Sequence, residues 1–246
     1  MTRTSTMMRR LIEKTEQRLD PQRLSRQALW YIVHRYSPRD RSVVKQYIQG
    51  CRVRKLHLGC GWNLLPEWLN ADSVPGGRRA LYLDVRRPFY FEDEIFDYIF
   101  SEHMIEHISY SSGIKMLTEC HRVLKPFGKI RISTPDLAFL IALHHPDKSP
   151  LQREYVIWAN HTFVNDAIAN NDVFVINNFM RNWGHTFIYD ENTLRSAMQK
   201  AGFSDITRHA LGKSKDDALC NLENRNRVPL QFLELETMTL EGIKAG

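Results

Sequence analysis

Residues 53–72 constrain the fold more than any other part of the chain. They read VRKLHLGCGWNLLPEWLNAD: an apolar run, a Gly59-Cys60-Gly61 turn and a second short apolar run closed by Asp72. A strand, a glycine turn and an acidic residue at the end of the next strand are typical of cofactor sites in α/β proteins. The glycines would allow close backbone approach to a ligand. The carboxylate would accept hydrogen bonds from ribose hydroxyls.

Strand-like and helix-like segments alternate after residue 50. The predicted strands span residues 55–58, 68–71, 80–84, 96–101, 129–133, 203–209 and 232–240. The predicted helices of this part span residues 40–49, 112–124 and 191–200, and Pro126-Phe127-Gly128 is a predicted turn. This alternation predicts a doubly wound, mainly parallel α/β sheet of seven strands. We expect the last strand to be antiparallel at the edge of the sheet.

The charge of the chain is uneven. Residues 1–55 contain 14 Lys/Arg and 4 Asp/Glu, which leaves 20 basic and 24 acidic residues for the remainder. We therefore predict a basic, helical N-terminal extension over 1–50, with helices at 7–20 and 22–36, and a mildly acidic domain over 51–246. Within that domain, 137–182 is predicted to be a cap-like insertion.

The basic extension has four interpretations. It is a solvated helical face, a contact with an anionic membrane surface, a recruiting element for a phosphate-bearing substrate, or a dimerisation element that covers the active site. We favour a homodimer formed through the N-terminal helices, with peripheral membrane contact second.

Cysteine usage and hydropathy bear on the compartment. The four cysteines form no CxxC pair, so neither a zinc site nor a disulfide framework is predicted. No apolar run approaches the roughly 20 residues that a membrane span needs. No apolar core of a secretory signal precedes residue 28. We expect a cytoplasmic protein.

Four motifs, in order and at plausible spacing, carry a family resemblance: LHLGCG, FDYIFSEHMIEHI, ECHRVLKPFGKIRISTPD and YDENTLRSAMQKAGF. Over about residues 51–210 the chain resembles class I S-adenosylmethionine-dependent methyltransferases, in a branch found with glycan and natural-product biosynthesis. The resemblance implies a Rossmann-like fold, S-adenosylmethionine as cofactor with S-adenosylhomocysteine as product, and no metal.

The resemblance also implies a set of cofactor-binding residues: Gly59, Cys60, Gly61, Asp72, Asp84, Val85, Ser101 and Glu102. Asp72 would bind the ribose and Asp84 the adenine amino group, although a strand-end cap and a turn aspartate are the structural alternatives. The family's first motif begins with an acid, where this chain has His57. That histidine is a ligand or a residue buried in the sheet. The segment between the first two strands is also too short for the family's usual long helix.

Histidines near two motifs are candidates for a general base. The predicted catalytic residues are His103, His107 and His185, and the predicted substrate-binding residues are Glu106, Asp136 and Tyr189. On a helix, positions 103, 106 and 107 would share one face. The structural alternatives are helix packing for His107, an arginine pair for Glu106 and a backbone bond in a loop for His185. No ligand spacing predicts a metal site.

The favoured function is methylation of a hydroxyl of a sugar, glycan or secondary metabolite, by in-line transfer with a histidine-assisted or proximity mechanism. Methylation of a nucleic-acid base is not expected, because Ser101-Glu102-His103-Met104 stands where an Asn/Asp-Pro-Pro-aromatic motif would be. One alternative is a binding or scaffold protein that keeps the fold without turnover. Another is a nicotinamide-dependent oxidoreductase, but the glycine turn lacks the third glycine that this requires.

Overall fold

Seven strands form one sheet in the order β3-β2-β1-β4-β5-β7-β6. The computed structural model of the protein describes residues 37–75, 79–164 and 168–246. The strands are β1 (Lys55–Leu58), β2 (Leu69–Asp72), β3 (Leu81–Tyr82), β4 (Phe96–Glu102), β5 (Leu124–Pro135), β6 (Phe203–His209) and β7 (Thr237–Lys244). Only β7 is antiparallel to its neighbours, β5 and β6. The predicted seven-stranded, mainly parallel α/β sheet is confirmed.

Seven helices lie within the described residues. They are α1 (Pro38–Gly50), α2 (Tyr110–Val123), α3 (Leu137–Leu143), α4 (Pro150–Phe163), α5 (Asp172–Arg181), α6 (Glu191–Lys200) and α7 (Leu230–Glu236). The helices predicted at 7–20 and 22–36 lie outside the described residues. None of the described helices is long and apolar enough to cross a membrane.

One face of the sheet is apolar and covered by helices. Alternate residues of the central strands, such as Leu56, Ile99 and Ile132, are fully buried there against Leu117 of α2 and Leu194 of α6. The period of two along each strand places these side chains on one face. This layer is the main hydrophobic core and holds the central strands in place.

The opposite face is polar and is covered by loops. It carries the buried side chains of His57, Arg131 and Ser133. No helix connects β1 to β2, as the short segment between them predicts; residues 59–68 cross this face as a loop. Leu65 and Trp68 from this loop pack around Phe100 of β4, together with Leu219 and Leu222 from the segment between β6 and α7.

Helices α3, α4 and α5 occupy the segment predicted as a cap. They have their own hydrophobic cluster, in which Tyr155 of α4, Phe179 of α5 and Phe139 of α3 are buried. Phe232 of α7 also packs into this cluster. The segment therefore packs around a second apolar core, which lies beyond the carboxyl end of β5.

Two predictions about local structure are wrong. The last predicted strand, 232–240, is not at the edge: α7 takes its first residues, and β7 lies between β5 and β6. The predicted turn at Pro126-Phe127-Gly128 is an irregularity within β5. There the pairing with β4 shifts register, and Phe127 adopts a φ of 64°.

The side chain of Asn70 holds the loop that replaces the helix between β1 and β2. Its Oδ1 accepts the Leu65 N–H (3.0 Å), and its Nδ2 donates to the carbonyls of Leu65 and Trp68 (2.9 and 3.0 Å). Its Oδ1 also lies 3.0 Å from Nδ1 of His57. One side chain thus satisfies both the loop backbone and the buried imidazole.

We expect Asn70→Ala to lower the free energy of unfolding by about 2–4 kcal/mol, because several buried polar groups lose their partner. Asn177→Ala is the matched control, since Asn177 is exposed and bonds only the Val173 carbonyl of its own helix. Denaturant melts measure both. Equal, small effects of the two substitutions would contradict this role of Asn70.

Candidate functional site

The glycine turn after β1 lies beside the end of β2, at the carboxyl edge of the sheet. Gly59 and Gly61 have φ of 66° and 49°, which glycine adopts without steric cost. The Gly61 N–H donates to Oδ2 of Asp72 (2.9 Å). Among the described residues other than its two chain neighbours, no atom lies within 4 Å of the position of a Cβ on Gly61, whereas a Cβ on Gly59 would clash with the side chain of Met104. Gly61 therefore borders open space that a ligand can enter.

An open pocket lies near the ends of β2 and β3. Its lining residues are Ser73, Leu83, Asp84, Val85, Arg86, Met104, His107 and Ile108. Nε and Nη2 of Arg86 donate to the two carboxylate oxygens of Asp84, each at 2.8 Å. Burial opposes ionisation of Asp84, but the bonds and charge of Arg86 outweigh it and lower its pKa. The pocket wall thus presents a carboxylate that Arg86 already holds.

His57 is buried in the sheet, at the position where the resemblance leads us to expect an acid. Burial lowers its pKa to about 4, although Asn70 opposes this shift. Its ring lies 5.1 Å from that of Phe100. His57 is therefore a neutral residue of the polar face. Of its two stated roles, ligand or residue buried in the sheet, the structure supports the second.

Glu102 supplies a carboxylate at the same edge, at the end of β4. Both of its oxygens accept the backbone N–H of Asn224, at 2.9 and 3.1 Å. Burial raises its pKa to about 7, against the opposing charge of Arg227 and bonds from Asn224 and Asn63. Near neutral pH, Glu102 is therefore poised between its protonated and ionised forms.

Cys60 and Ser101 have side chains inside the protein. Burial raises the pKa of the Cys60 thiol to about 12, so it is a small neutral filler within the turn. The Ser101 hydroxyl is buried without a hydrogen-bond partner. Either residue can meet a ligand only through its backbone or after a local movement.

Asp136 and Tyr189 are not among the residues that line the pocket. Asp136 caps α3 and forms an ion pair with Arg208 at 2.9 Å. Tyr189 is fully buried in the main core, and its hydroxyl lies against Gly113 of α2. The Asp136 carboxylate is thus engaged and the Tyr189 phenol enclosed, and their substrate-binding roles stay predictions.

Positions 103–107 do not form the helix on which positions 103, 106 and 107 would share one face. His103 has a φ of 45°, and Ile105–His107 forms a single 3-10 turn. Glu106 is fully buried and His103 nearly so, whereas the side chain of His107 is 37% exposed. The three side chains therefore do not share one accessible face, and only that of His107 reaches the pocket.

His103 is enclosed beneath the pocket. Its Nε2 lies 3.3 Å from Oγ1 of Thr237, and its Nδ1 lies 3.3 Å from Oε1 of Glu106 without hydrogen-bond geometry. Burial lowers the pKa of His103 to about 4, and the charge of Arg227 adds to this. A neutral, enclosed imidazole can position Glu106 but does not reach an acceptor in the pocket.

His185 lies beside His107, with ring centroids 4.9 Å apart. The backbone N–H groups of residues 186 and 187 donate to the carbonyl of Glu106, at 2.7 and 3.1 Å. Nδ1 of His185 lies 2.7 Å from the carbonyl of Phe179. Because a carbonyl only accepts, Nδ1 carries the hydrogen and Nε2 keeps a free lone pair. The alternative of a backbone bond for His185 is therefore realised, yet one ring nitrogen remains available.

A family model described as "Methyltransferase domain" matches residues 25–208, which are 184 of the 246 residues. The chain belongs to this methyltransferase family. Membership confirms the methyltransferase predicted from the four motifs. No curated protein matches the chain significantly.

Several solved methyltransferase structures resemble this methyltransferase distantly. Phosphoethanolamine N-methyltransferase 2 of Haemonchus contortus is 17% identical, with a TM-score of 0.43 over 85% of this chain and 52% of that one. A methyltransferase of Archaeoglobus fulgidus is 17% identical (TM-score 0.44, 88% and 98% covered), and one of Thermotoga maritima 16% (0.43, 90% and 96%). The chain thus spans about half the length of the Haemonchus enzyme. Similarities at this level indicate neither substrate nor mechanism.

Several residues of the candidate site were not predicted. They are Arg86, Met104, Asn224, Arg227 and Thr237, and all but Met104 lie outside the four motifs. Asn224 lies 122 positions from Glu102 in the chain. The polar stretch NLENRNR at 221–227 is a turn signal, but no periodicity places it against β4. These residues could be assigned to the site only from the tertiary structure.

The raised pKa of the partly buried Glu102 predicts a pH-dependent stability. Its folded pKa of about 7 exceeds the ordinary value of 4.5. Between these values the folded state keeps a proton that the unfolded state loses, so stability falls as pH rises through this window. We compare the free energy of unfolding of Glu102→Gln with that of the wild type at each pH. This difference should favour the variant more at pH 8 than at pH 5, by about 1–3 kcal/mol.

Urea melts at both pH values measure this difference. Glu92→Gln is the matched control, because Glu92 is exposed, and its difference from the wild type should be the same at both pH values. A pH-independent difference for Glu102→Gln would contradict the raised pKa.

Proposed function

We propose that the chain is an S-adenosylmethionine-dependent methyltransferase that methylates a hydroxyl of a sugar, glycan or secondary metabolite. The observation that carries the cofactor assignment is the meeting of Gly61, Asp72 and Asp84 at one edge of the sheet. Gly61 borders open space, and Asp84 lines the pocket. Ligands of doubly wound sheets bind at this edge. Family membership supports the methyl transfer itself.

Each part of the cofactor has a matching group. The glycine turn admits the methionine end, Asp72 accepts the ribose hydroxyls, and Asp84 accepts the adenine amino group beside Val85. For this last bond, Arg86 must share or release Asp84, which it now holds. Glu102 takes the place of the missing opening acid and binds the ammonium group, since His57 is neutral and occupied by Asn70.

Transfer breaks the bond between the sulfonium sulfur and the methyl carbon and forms the bond between that carbon and the acceptor oxygen. The hydroxyl proton must leave, and S-adenosylhomocysteine is released. Much of the rate comes from bringing the oxygen into line with the methyl group. His107 and His185 are the imidazoles able to assist loss of the proton, because one is exposed at the pocket and the other has a free Nε2.

A cofactor-binding scaffold without turnover is the second candidate. The neutral His57 and the missing helix between β1 and β2 favour it, because both remove usual elements of the cofactor site. Calorimetry with S-adenosylhomocysteine tests cofactor binding in either case. Transfer of a labelled methyl group to sugars, glycans and hydroxylated metabolites then tests turnover. The carbon NMR chemical shift of the transferred methyl group distinguishes an O-methyl from an N-methyl product.

We expect Gly61→Arg to weaken binding of S-adenosylhomocysteine at least 100-fold, because the new side chain fills the open space at the turn. Gly50→Arg is the matched control: position 50 also has open space, but it lies at the end of α1 and does not line the pocket. Calorimetry measures both affinities. Unchanged affinity of Gly61→Arg, with folding verified by circular dichroism, would refute this cofactor site.

We further propose a cytoplasmic homodimer formed through the basic N-terminal helices, with contact to an anionic membrane as the second role. The charge excess of residues 1–55 supports an interaction role for this segment. Removing residues 1–36 should convert a dimer to a monomer, as measured by sedimentation. An unchanged number of chains per particle would exclude the dimer role, and loss of binding to anionic vesicles by the shortened protein would favour the membrane role.

A further inference from the structure

Glu106, His107 and His185 bring three potential metal ligands together beside the pocket. One ligand atom of each lies within 4.8 Å of the other two. The sequence spacing does not predict this group, because two of its members lie in the turn after β4 and the third follows α5. The backbone clamp between residues 186–187 and the Glu106 carbonyl joins the two segments.

The carboxylate of Glu106 is only half satisfied. Its Oε2 accepts a hydrogen bond from Thr134 at 3.0 Å. Its Oε1 is buried and forms no hydrogen bond, although Nδ1 of His103 lies 3.3 Å and Nε2 of His107 3.9 Å away. A buried carboxylate oxygen without a hydrogen bond is costly, and a bound cation would satisfy it.

The second imidazole is already held in an orientation suited to a metal. Nδ1 of His185 donates to the Phe179 carbonyl, and metal-bound histidines usually donate their other N–H in this way. The rings of Phe179 and Trp183 lie around it, with centroids 6.2 and 5.5 Å away. This arrangement fixes the tautomer and leaves Nε2 available to a cation.

We propose that Glu106, His107 and His185 bind a divalent transition-metal cation, with a remaining coordination position open to the pocket through His107. Two imidazoles and one carboxylate suit Zn²⁺ or Fe²⁺ better than Mg²⁺. Ligand atoms around a tetrahedral Zn²⁺ stand roughly 3.4 Å apart when the bonds are about 2.1 Å long. The three ligand atoms now lie within 4.8 Å of one another, so the group must contract when it binds the cation.

The charges around the group are compatible with a cation. Glu106 contributes a carboxylate in direct reach, and the imidazole of His103 lies 3.3 Å from it. Arg227 is exposed and screened by solvent, so the buried carboxylate has the larger effect at the site.

The role of the cation rests on the proposed function. A hydroxyl that coordinates a divalent cation has a lowered pKa. It would release its proton to solvent and attack the methyl carbon with the freed electron pair, as the bond from carbon to sulfur breaks. In this form of the mechanism, His107 and His185 act as ligands and neither accepts the proton.

The test is calorimetry of the metal-free, full-length protein with Zn²⁺ alone and with Mg²⁺ alone. We expect one Zn²⁺ per chain and at least tenfold weaker binding of Mg²⁺. His107→Ala and His185→Ala should each weaken Zn²⁺ binding at least tenfold. His161→Ala is the matched control, since His161 is an exposed imidazole on α4. This variant should bind Zn²⁺ with the affinity of the wild type.

Glu106→Gln keeps the shape of the side chain and its bond with Thr134 but removes the charge, and it too should weaken Zn²⁺ binding. If this variant does not fold, as judged by circular dichroism, the two histidine variants decide the outcome, because His107 is partly exposed. Equal Zn²⁺ binding by the wild type and both histidine variants would mean adventitious surface binding and overturn the proposal. So would the absence of a stoichiometric site.

Zn²⁺ binding and S-adenosylhomocysteine binding are measured separately, so the two proposals can fail separately. Cofactor binding without Zn²⁺ binding would leave the methyltransferase proposal standing and remove the metal. Zn²⁺ binding that is lost in His185→Ala, in a protein with no cofactor affinity, would establish the metal site and overturn the proposed function.

Discussion

Arg131 is the buried charge on which the polar side of the molecule depends. Its guanidinium is fully buried in the sheet and pairs with the carboxylates of Glu223 and Glu241. Breaking a buried ion pair leaves an uncompensated charge, at a cost of about 3–5 kcal/mol. The segment that carries Glu223 is therefore held against β5. Its next residue, Asn224, is thereby placed where its N–H meets Glu102, so the electrostatics of the cofactor edge depend on an ion pair deep in the sheet.

The apolar half of the fold was predictable from the sequence, and the polar half was not. Strands such as β1 and β4 are short apolar runs, and their burial on one helix-covered face follows from the period of two. The prediction began the last strand at 232, whereas β7 begins at Thr237. The reason is that the apolar residues of 232–236 fit a strand and a helix equally well. They form α7, whose Phe232 packs on the cap. Periodicity alone does not distinguish these outcomes.

Prediction of the candidate site failed where positions depend on contacts distant in sequence. The glycine turn, Asp72 and Asp84 follow from their places at strand ends. Positions 103–107 do not form a helix, and His103 takes a left-handed conformation. Glu106 and His185 are brought together by backbone hydrogen bonds between residues about 80 positions apart in the chain. The sequence contains no local signal for these bonds.

The contact between Gly59 and Met104 has a consequence for the evolution of this chain. Met104 packs into the space that a side chain at position 59 would need, so the first glycine of the turn is required by this contact as well as by its φ of 66°. Homologues should therefore keep glycine at 59 wherever a large residue stands at 104, whereas position 61, which has no such neighbour, should vary independently of 104.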